Sequence, residues 1–503
     1  MKWTFFFLTL LIVFTKVNGQ LVTYSDTNDD DVKDLKYEII GKLKGNIHIY
    51  KNNHDRYSIS LYDAEMKEVS SEKLPFLPDR VINESFLLLS DTYFMFYQYQ
   101  KKGIVYCMAA KLNNLGKIIG NPIQLDTTKV SFSAENKIYT VINSDDKQKV
   151  MVVKIAKPNE EKLNHVTTTL YDNQLQLLKR TEMSITMSER NASLSEFTLD
   201  NSGDLVFLKS SGIGNSDVVN KLTLITKLAL DDSIHLMDVD LRGKYLDDIR
   251  LKVDNYNKHY LITSFYSKQR AGHVEGVFFY LWDKASIKDL LNTSIIFNDD
   301  FRADAKSESS IKDALDDFYI RNIVVKKDGG FVLAAESYYT TTTNNNPFNR
   351  WDNTSSYYSG FNSYSVYGAN GMYSNPYSRS YNNVTSYFAS NVIMIAVDVH
   401  GKLEWSNVIH KSQRDDSSEN YISYGVLNTG DKVHFLFNAQ TNRDVLLSDQ
   451  SISPDGQLVR SPAFRGLNEA YEFMPRYGKQ TGGRQIVLPC QYRNYICFAK
   501  IDF

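Results

Sequence analysis

Apolar residues along this chain come in short runs that alternate with polar positions, as at 37–43, 46–50, 57–62 and 68–74. A period of two, carried by Tyr, Phe, Val and Ile, predicts β-strands. The runs fall into groups of four. The stretches 86–89, 93–99, 104–111 and 118–125 make a second group, and further groups span 130–185, 194–241 and 248–297. No group contains a helical stretch long enough for a parallel crossover, so each is predicted to be an antiparallel meander.

One turn recurs between these strands. Its fullest copy is Val397-Asp398-Val399-His400-Gly401-Lys402-Leu403-Glu404-Trp405. The Asp side chain can accept a hydrogen bond from the backbone two residues on, and Gly tolerates positive φ. Looser copies place Asp63, Asn113, Asp172, Asp231, Asp283 and Ser453 at the same point of the pattern. Their spacing is 50–59 residues, except for one step of 115 between Asp283 and Asp398, which holds a compositionally biased insert at 340–390. A repeat of that length is the size of a propeller blade.

The sixth group starts at 319–325, turns at Asp328-Gly329-Gly330, returns over 331–336 and resumes at 391–399 after the insert. Asp-Gly-Gly is a strong hairpin cue. The stretch 307–317 is the best helix candidate, with Ser307 as its cap and Ile311, Ala314, Leu315 and Phe318 on one face. A seventh group spans 421–459. The eighth has only three runs, at 472–476, 485–489 and 495–501, and 21–24 can supply its fourth. The expected fold is therefore all-β: a single β-propeller over 37–503, of eight blades with seven as the alternative, its ring closed by both termini.

Lys2 followed by the apolar run 3–14, with Val17 and Gly19 at the small-residue positions, predicts a signal peptide over 1–19 and export to the periplasm, outer cell surface or extracellular space. An acidic linker at 20–36 follows. No later run is long and apolar enough for a membrane helix, so no transmembrane segment is expected in the mature chain. With 57 basic and 59 acidic residues there is no cationic excess to attract nucleic acid. Cys490 and Cys497 are symmetric about Arg493-Asn494, which places them opposite each other in a two-residue hairpin. They fall at a hydrogen-bonded pair, and free thiols and a disulfide both remain open. Cys107 reads as a core strand residue.

Local catalytic signatures are missing. There is no His-x-His, His-Glu-x-x-His or Gly-x-Ser-x-Gly, and neither a metal nor a cofactor is expected. Asp328-Gly329-Gly330-Phe331, with Glu336-Ser337-Tyr338-Tyr339 and the Asp398 turn leading to Trp405, resembles secreted, uncharacterised β-propeller-like proteins of Bacteroidetes. The resemblance covers about 318–413 and implies export and a propeller, with no known chemistry. The Asp398–Trp405 stretch is also similar to the tryptophan-docking repeat of quinoprotein dehydrogenases. It departs from that repeat at His400, and the other copies lack the Trp; Trp405 reads as a residue packed between blades.

Residues 338–387 contain ten Tyr and no Lys. If 331–336 is the second strand of its blade and 391–399 the third, the insert overhangs the propeller face on which the loops 100–103, 210–220, 268–274 and 439–444 also lie. The candidate ligand-binding residues are Trp351, Tyr357, Tyr358, Phe361, Tyr364, Tyr367, Tyr373 and Tyr377, joined at the mouth by Arg270 and His273. Rigid amphipathic rings suit stacking on sugars or gripping a protein segment; the alternative for the insert is a disordered or glycosylated surface loop. A binding or protein-interaction propeller is the first reading, with a protein or a carbohydrate as partner. A propeller-type carbohydrate-active enzyme and an outer-membrane assembly or structural factor are the alternatives.

Overall fold

The computed structural model describes residues 20–27, 35–131, 137–156, 162–189, 191–212, 218–306, 315–342, 385–416, 418–440, 445–461, 464 and 471–503. The predicted signal peptide, most of the insert and the centre of the acidic linker lie outside these residues.

Among them the chain forms eight consecutive antiparallel meanders, over 35–73, 83–129, 139–186, 193–239, 245–296, 318–409, 424–460 and 471–502. The fourth and fifth share one hydrogen-bonded sheet only through the pair Val219↔Leu246. An apolar cluster fills each of the eight seams between successive blades, and a second, Tyr319, Tyr338, Ala389 and Ile422, lies beside the seam of blades six and seven. The eighth seam joins blade one, through Leu35, Tyr37 and Ile49, to Met474, Val487 and Phe498 of blade eight. The fold is a β-propeller of eight blades.

Burial explains the strand patterns. The second and third strands of each blade are covered on both faces, so Tyr93–Tyr97 and Val392–Val397 are continuously buried. The outermost strand has one wet face and alternates: Thr181, Met183 and Ile185 are buried, while Glu182 and Ser184 are exposed. The Asp turns join third strands to fourth. In them Asp63, Asn113, Asp172, Asp231, Asp283 and Asp398 each accept a hydrogen bond from the backbone N–H two residues on, at 2.9–3.0 Å. Each turn also docks on the preceding blade. The ring Nε1 of Trp405 donates to the Pro454 carbonyl at 3.0 Å, and a Cβ on Gly456 would stand 2.7 Å from that ring. Trp405 is thus a blade-docking residue. At the other predicted hairpin, Gly329 has φ +89° in the turn between strands Phe318–Val325 and Phe331–Thr342.

Leu21–Tyr24 pairs with Tyr495–Asp502 as the outer strand of blade eight, with Leu21 opposite Asp502 and Tyr24 opposite Ala499. The innermost strand of that blade departs from the expected run 472–476. It is split into Tyr471–Phe473 and Lys479–Gly482, both paired to Gln485–Tyr492, with a 3-10 turn at Pro475–Tyr477 between them. Pro475 has no N–H to continue a ladder. A helix is expected at 307–317. Residues 307–314 lie outside the described residues and 315–317 are not helical. Among the described residues the α-helix is Asp299–Ala305, capped by the Asn298 side chain accepting from the Phe301 N–H at 2.8 Å, with Asp299 and Asp300 in its first turn. No described helix is long and apolar enough to cross a membrane.

Candidate functional site

The innermost strands do not run straight. Blades one, four, five and six each carry a register shift there: between Ile39 and Gly41, Ser195 and Thr198, Asp247 and Arg250, and Ile320 and Asn322. Two of the residues at these shifts, Glu196 at φ +55° and Asp248 at φ +57°, are non-glycine residues in the left-handed region. A bulge re-aims side chains, and here it delivers charged groups to the propeller axis.

The axis holds a cavity of about 570 Å³, lined by the innermost strands of seven blades. Its charged lining is Glu38, Asp145, Glu196, Arg250, Lys252, Arg321 and Lys479. Arg250 ties three blades together: it reaches Glu196 at 3.1 Å, Asp248 at 2.8 Å and the Ile320 carbonyl at 3.3 Å. Burial pushes the Glu196 carboxyl above its ordinary range, although Arg250 opposes the shift. Glu38 is pushed up in the same way, by burial against the pull of Lys479, and its Oε2 is buried without a hydrogen-bond partner. Towards the Asp-turn end, Asn255 donates to Asp145 at 2.7 Å and accepts from the Asn201 N–H at 2.8 Å.

The other end of the propeller carries the arm of blade six. Its second and third strands, Phe331–Thr342 and Thr385–Val397, are 12 and 13 residues long, against 7–10 for their counterparts in the other blades. They stay paired beyond the blade body, from Tyr338↔Ala389 out to Thr342↔Thr385. The expected insert boundaries at 340 and 390 therefore fall inside strands. Gln413–Asp415 adds a further strand along Tyr387–Ala389. The Tyr339 and Phe388 rings stack at 4.7 Å, and the Arg414 guanidinium lies 5.5 Å over Phe388.

A buried ionic network holds the root of this arm. Glu336, wholly buried, meets Lys411 at 2.7 Å and also binds Arg321 and Ser423. Lys411 reaches the Gln413 side chain at 2.7 Å and the Ala389 carbonyl at 3.1 Å. The Tyr338 hydroxyl donates to Glu419 at 2.8 Å, Glu419 pairs with Arg476 at 2.8 Å, and Ser337 donates to Asp317 at 2.6 Å. Burial drives the Glu336 carboxyl up, but Lys411 and Arg321 outweigh it and hold the acid at about 2. Burial pulls Lys411 down to about 8 against the opposing pull of Glu336, so the pair is ionised at neutral pH.

Of the residues predicted from sequence, Arg270 and His273 are exposed on the loop between the second and third strands of blade five, at the same end of the propeller as the arm. His273 Nδ1 lies 2.7 Å from the Asp316 carboxylate. Neither residue lines the axial cavity. Trp351, Tyr357, Tyr358, Phe361, Tyr364, Tyr367, Tyr373 and Tyr377 lie outside the described residues. Sequence reasoning missed the Glu336–Arg321–Lys411 network. Its signal was a lone charge inside an apolar strand, Glu336 within Phe331–Tyr339 and Arg321 within Tyr319–Val325. Among the described residues, no cluster of three or more His, Cys, Asp and Glu is arranged to hold a metal ion.

No protein-family model and no curated protein matches this chain. Among solved structures, it is similar to the WD40 domain of SCAP from fission yeast at 8% identity and TM-score 0.41, covering 97% of this chain and 98% of that one. It is similar to polysaccharide lyase Uly1 at 10% identity and TM-score 0.38, over 96% and 98%. An uncharacterized protein from Listeria monocytogenes matches at 12% identity and TM-score 0.35, over 76% and 81%. Likenesses this weak carry no functional information.

Proposed function

We propose that this chain is an exported binding propeller whose recognition element is the arm of blade six with the Tyr-rich insert it carries. The observation that supports this reading is the construction of the arm. Two strands continue past the blade and are braced by the Gln413–Asp415 strand, the Tyr339–Phe388 stack and a fully buried ionic root. A loop that served only to connect two strands would need none of these. Rooted strands position a binding segment more accurately than free loops do. The insert supplies aromatic area for a carbohydrate or an extended protein segment. The Glu336 and Glu196 carboxylates are committed to neighbouring cations, which favours a positioning role over catalysis for both.

Deleting 343–384 and joining Thr342 to Thr385 through an Asn-Gly turn tests the proposal. The shortened chain should fold with nearly unchanged thermal stability and lose retention in affinity electrophoresis against a panel of soluble acidic and neutral polysaccharides, and in pull-downs of envelope proteins. Full retention of every ligand of the parent chain would remove the insert from the site. A second reading, a carbohydrate-active enzyme, draws on Glu38, a carboxyl in the axial cavity that burial keeps prone to hold its proton. It predicts cleavage of one of those polysaccharides, lost in Glu38→Gln while binding persists.

A further inference from the structure

Cys490 and Cys497 sit opposite each other on the two central strands of blade eight, Gln485–Tyr492 and Tyr495–Asp502, next to the turn at Arg493-Asn494. The register makes them a hydrogen-bonded antiparallel pair, whose Cα atoms stand about 5.5 Å apart. That spacing lies inside the range of about 4.4–6.8 Å found for disulfides. Their sulfurs touch at 2.8 Å and both side chains are wholly buried, as free thiols.

What covers them is the N-terminal strand. Val22 and Tyr24, with Tyr471, Tyr492 and Phe503, pack against the cluster containing both cysteines. Tyr24 pairs with Ala499, and Ser25 then locks the strand through bonds to Phe498, 2.8 Å from its own N–H and 3.0 Å to its hydroxyl. The Tyr24 and Tyr471 rings meet in a tilted contact at 4.4 Å, and those of Tyr471 and Tyr492 at 4.8 Å, over this end of the blade.

We propose that Cys490 and Cys497 are a modification site: they form a cross-strand disulfide during folding, and docking of Leu21–Tyr24 then seals whichever redox state is present. One cysteine thiolate attacks a glutathione disulfide, giving a mixed disulfide and releasing one glutathione thiol. The second cysteine thiolate displaces the other glutathione and forms the Sγ–Sγ bond; the two cysteine protons end on the two glutathione thiols. The steps need thiolate. In the folded protein burial holds the Cys490 thiol far up, and the contact with Cys497 adds to this, so exchange belongs to the open hairpin. The closed loop is short, so the bond adds stiffness to the hairpin that receives the N-terminal strand rather than much global stability.

The test refolds the reduced full chain in a glutathione redox buffer, alkylates it with iodoacetamide in denaturant and maps peptide masses. The expected product is lighter by two hydrogens, has Cys490 linked to Cys497 and carries its single alkyl group on Cys107. Three alkylated cysteines, or glutathione adducts on Cys490 or Cys497, would overturn the site. Folded, reduced protein placed in the same buffer should stay reduced, and folded Tyr24→Ala should oxidise at least about tenfold faster. Equal rates for the two folded proteins would overturn the sealing role of the strand.

Discussion

Glu84 and Glu336 are the same residue type, both buried, at seams on different sides of the propeller, and they sit at opposite ends of the carboxyl range. Glu84 lies in Asn83–Leu88, the innermost strand of blade two, and accepts from the Tyr50 hydroxyl of blade one at 2.7 Å. Burial pushes it up to about 7, and Glu38 adds to the rise while the Tyr50 bond opposes it. Glu336, between blades six and seven, is held at about 2 because Lys411 and Arg321 outweigh its burial. Burial sets the cost of charge, and the neighbours decide whether charge persists. One seam is a phenol–carboxyl contact that works with its proton on. The other is an ion lock under the arm.

The contrast breaks most visibly at Glu336. Glu336→Gln leaves Arg321 and Lys411 buried without their anion and should cost about 3–5 kcal/mol in urea unfolding at pH 7. Replacing the whole set, Glu336→Leu with Arg321→Met and Lys411→Met, should cost far less or stabilise the protein. Its arm should loosen, seen as faster amide exchange over 338–342. A triple variant as unstable as Glu336→Gln would mean that the lock contributes through more than charge balance.

The next effect is a pH limb. The folded-state value of Glu336 lies below the ordinary glutamate value of 4.5, so its contribution is complete above about 4.5 and is lost as pH falls towards 2. Acid unfolding followed by fluorescence should therefore be steeper in the native chain than in the apolar triple variant; parallel curves would contradict the ion lock.

Glu84 gives the smallest effect, with the opposite sign. Its folded-state value lies above the ordinary one, so stability is present below 4.5 and is lost as pH rises through about 7. Glu84→Gln keeps an acceptor for Tyr50 and carries no charge. It should match the native chain near pH 4.5 and exceed it at pH 8 by about 1 kcal/mol. A less stable Gln variant at pH 8 would show that the anion is favoured there.

Much of the fold was legible because its determinants are local. Asp63, Asn113, Asp172, Asp231, Asp283 and Asp398 announce their turns by bonding backbone two residues away, and the strands between them follow the alternation of burial. The facing of Cys490 and Cys497 follows from a two-residue turn. The exceptions are also physical. Pro475 interrupts a run that Phe473 and Met474 made look continuous. The helix Asp299–Ala305 is short and largely polar, so it lacked an apolar face to reveal it, although Asn298 and the two Asp were a readable cap. The axial cavity could not be read at all: Glu38, Glu196, Arg250 and Arg321 meet from separate blades, and no spacing along the chain encodes their proximity. The arm was half legible, its position from the strand order and its ionic root hidden in single charges within apolar strands.

The pairing of Leu21–Tyr24 with the last strand also dictates an order of events. Ser25 and Phe498 bond across 473 positions of sequence, so a chain emerging N-terminus first carries Leu21–Tyr24 without its partner until Tyr495–Asp502 arrives. Closing a loop of that size costs about 5 kcal/mol of chain entropy. Blades one to seven can form on contacts already delivered, whereas blade eight waits for strands that lie far apart in the sequence. Because Leu21 lies opposite Asp502, linking Phe503 to Gln20 by a tight turn and opening the chain between two other blades would turn this last, long-range step into a local hairpin.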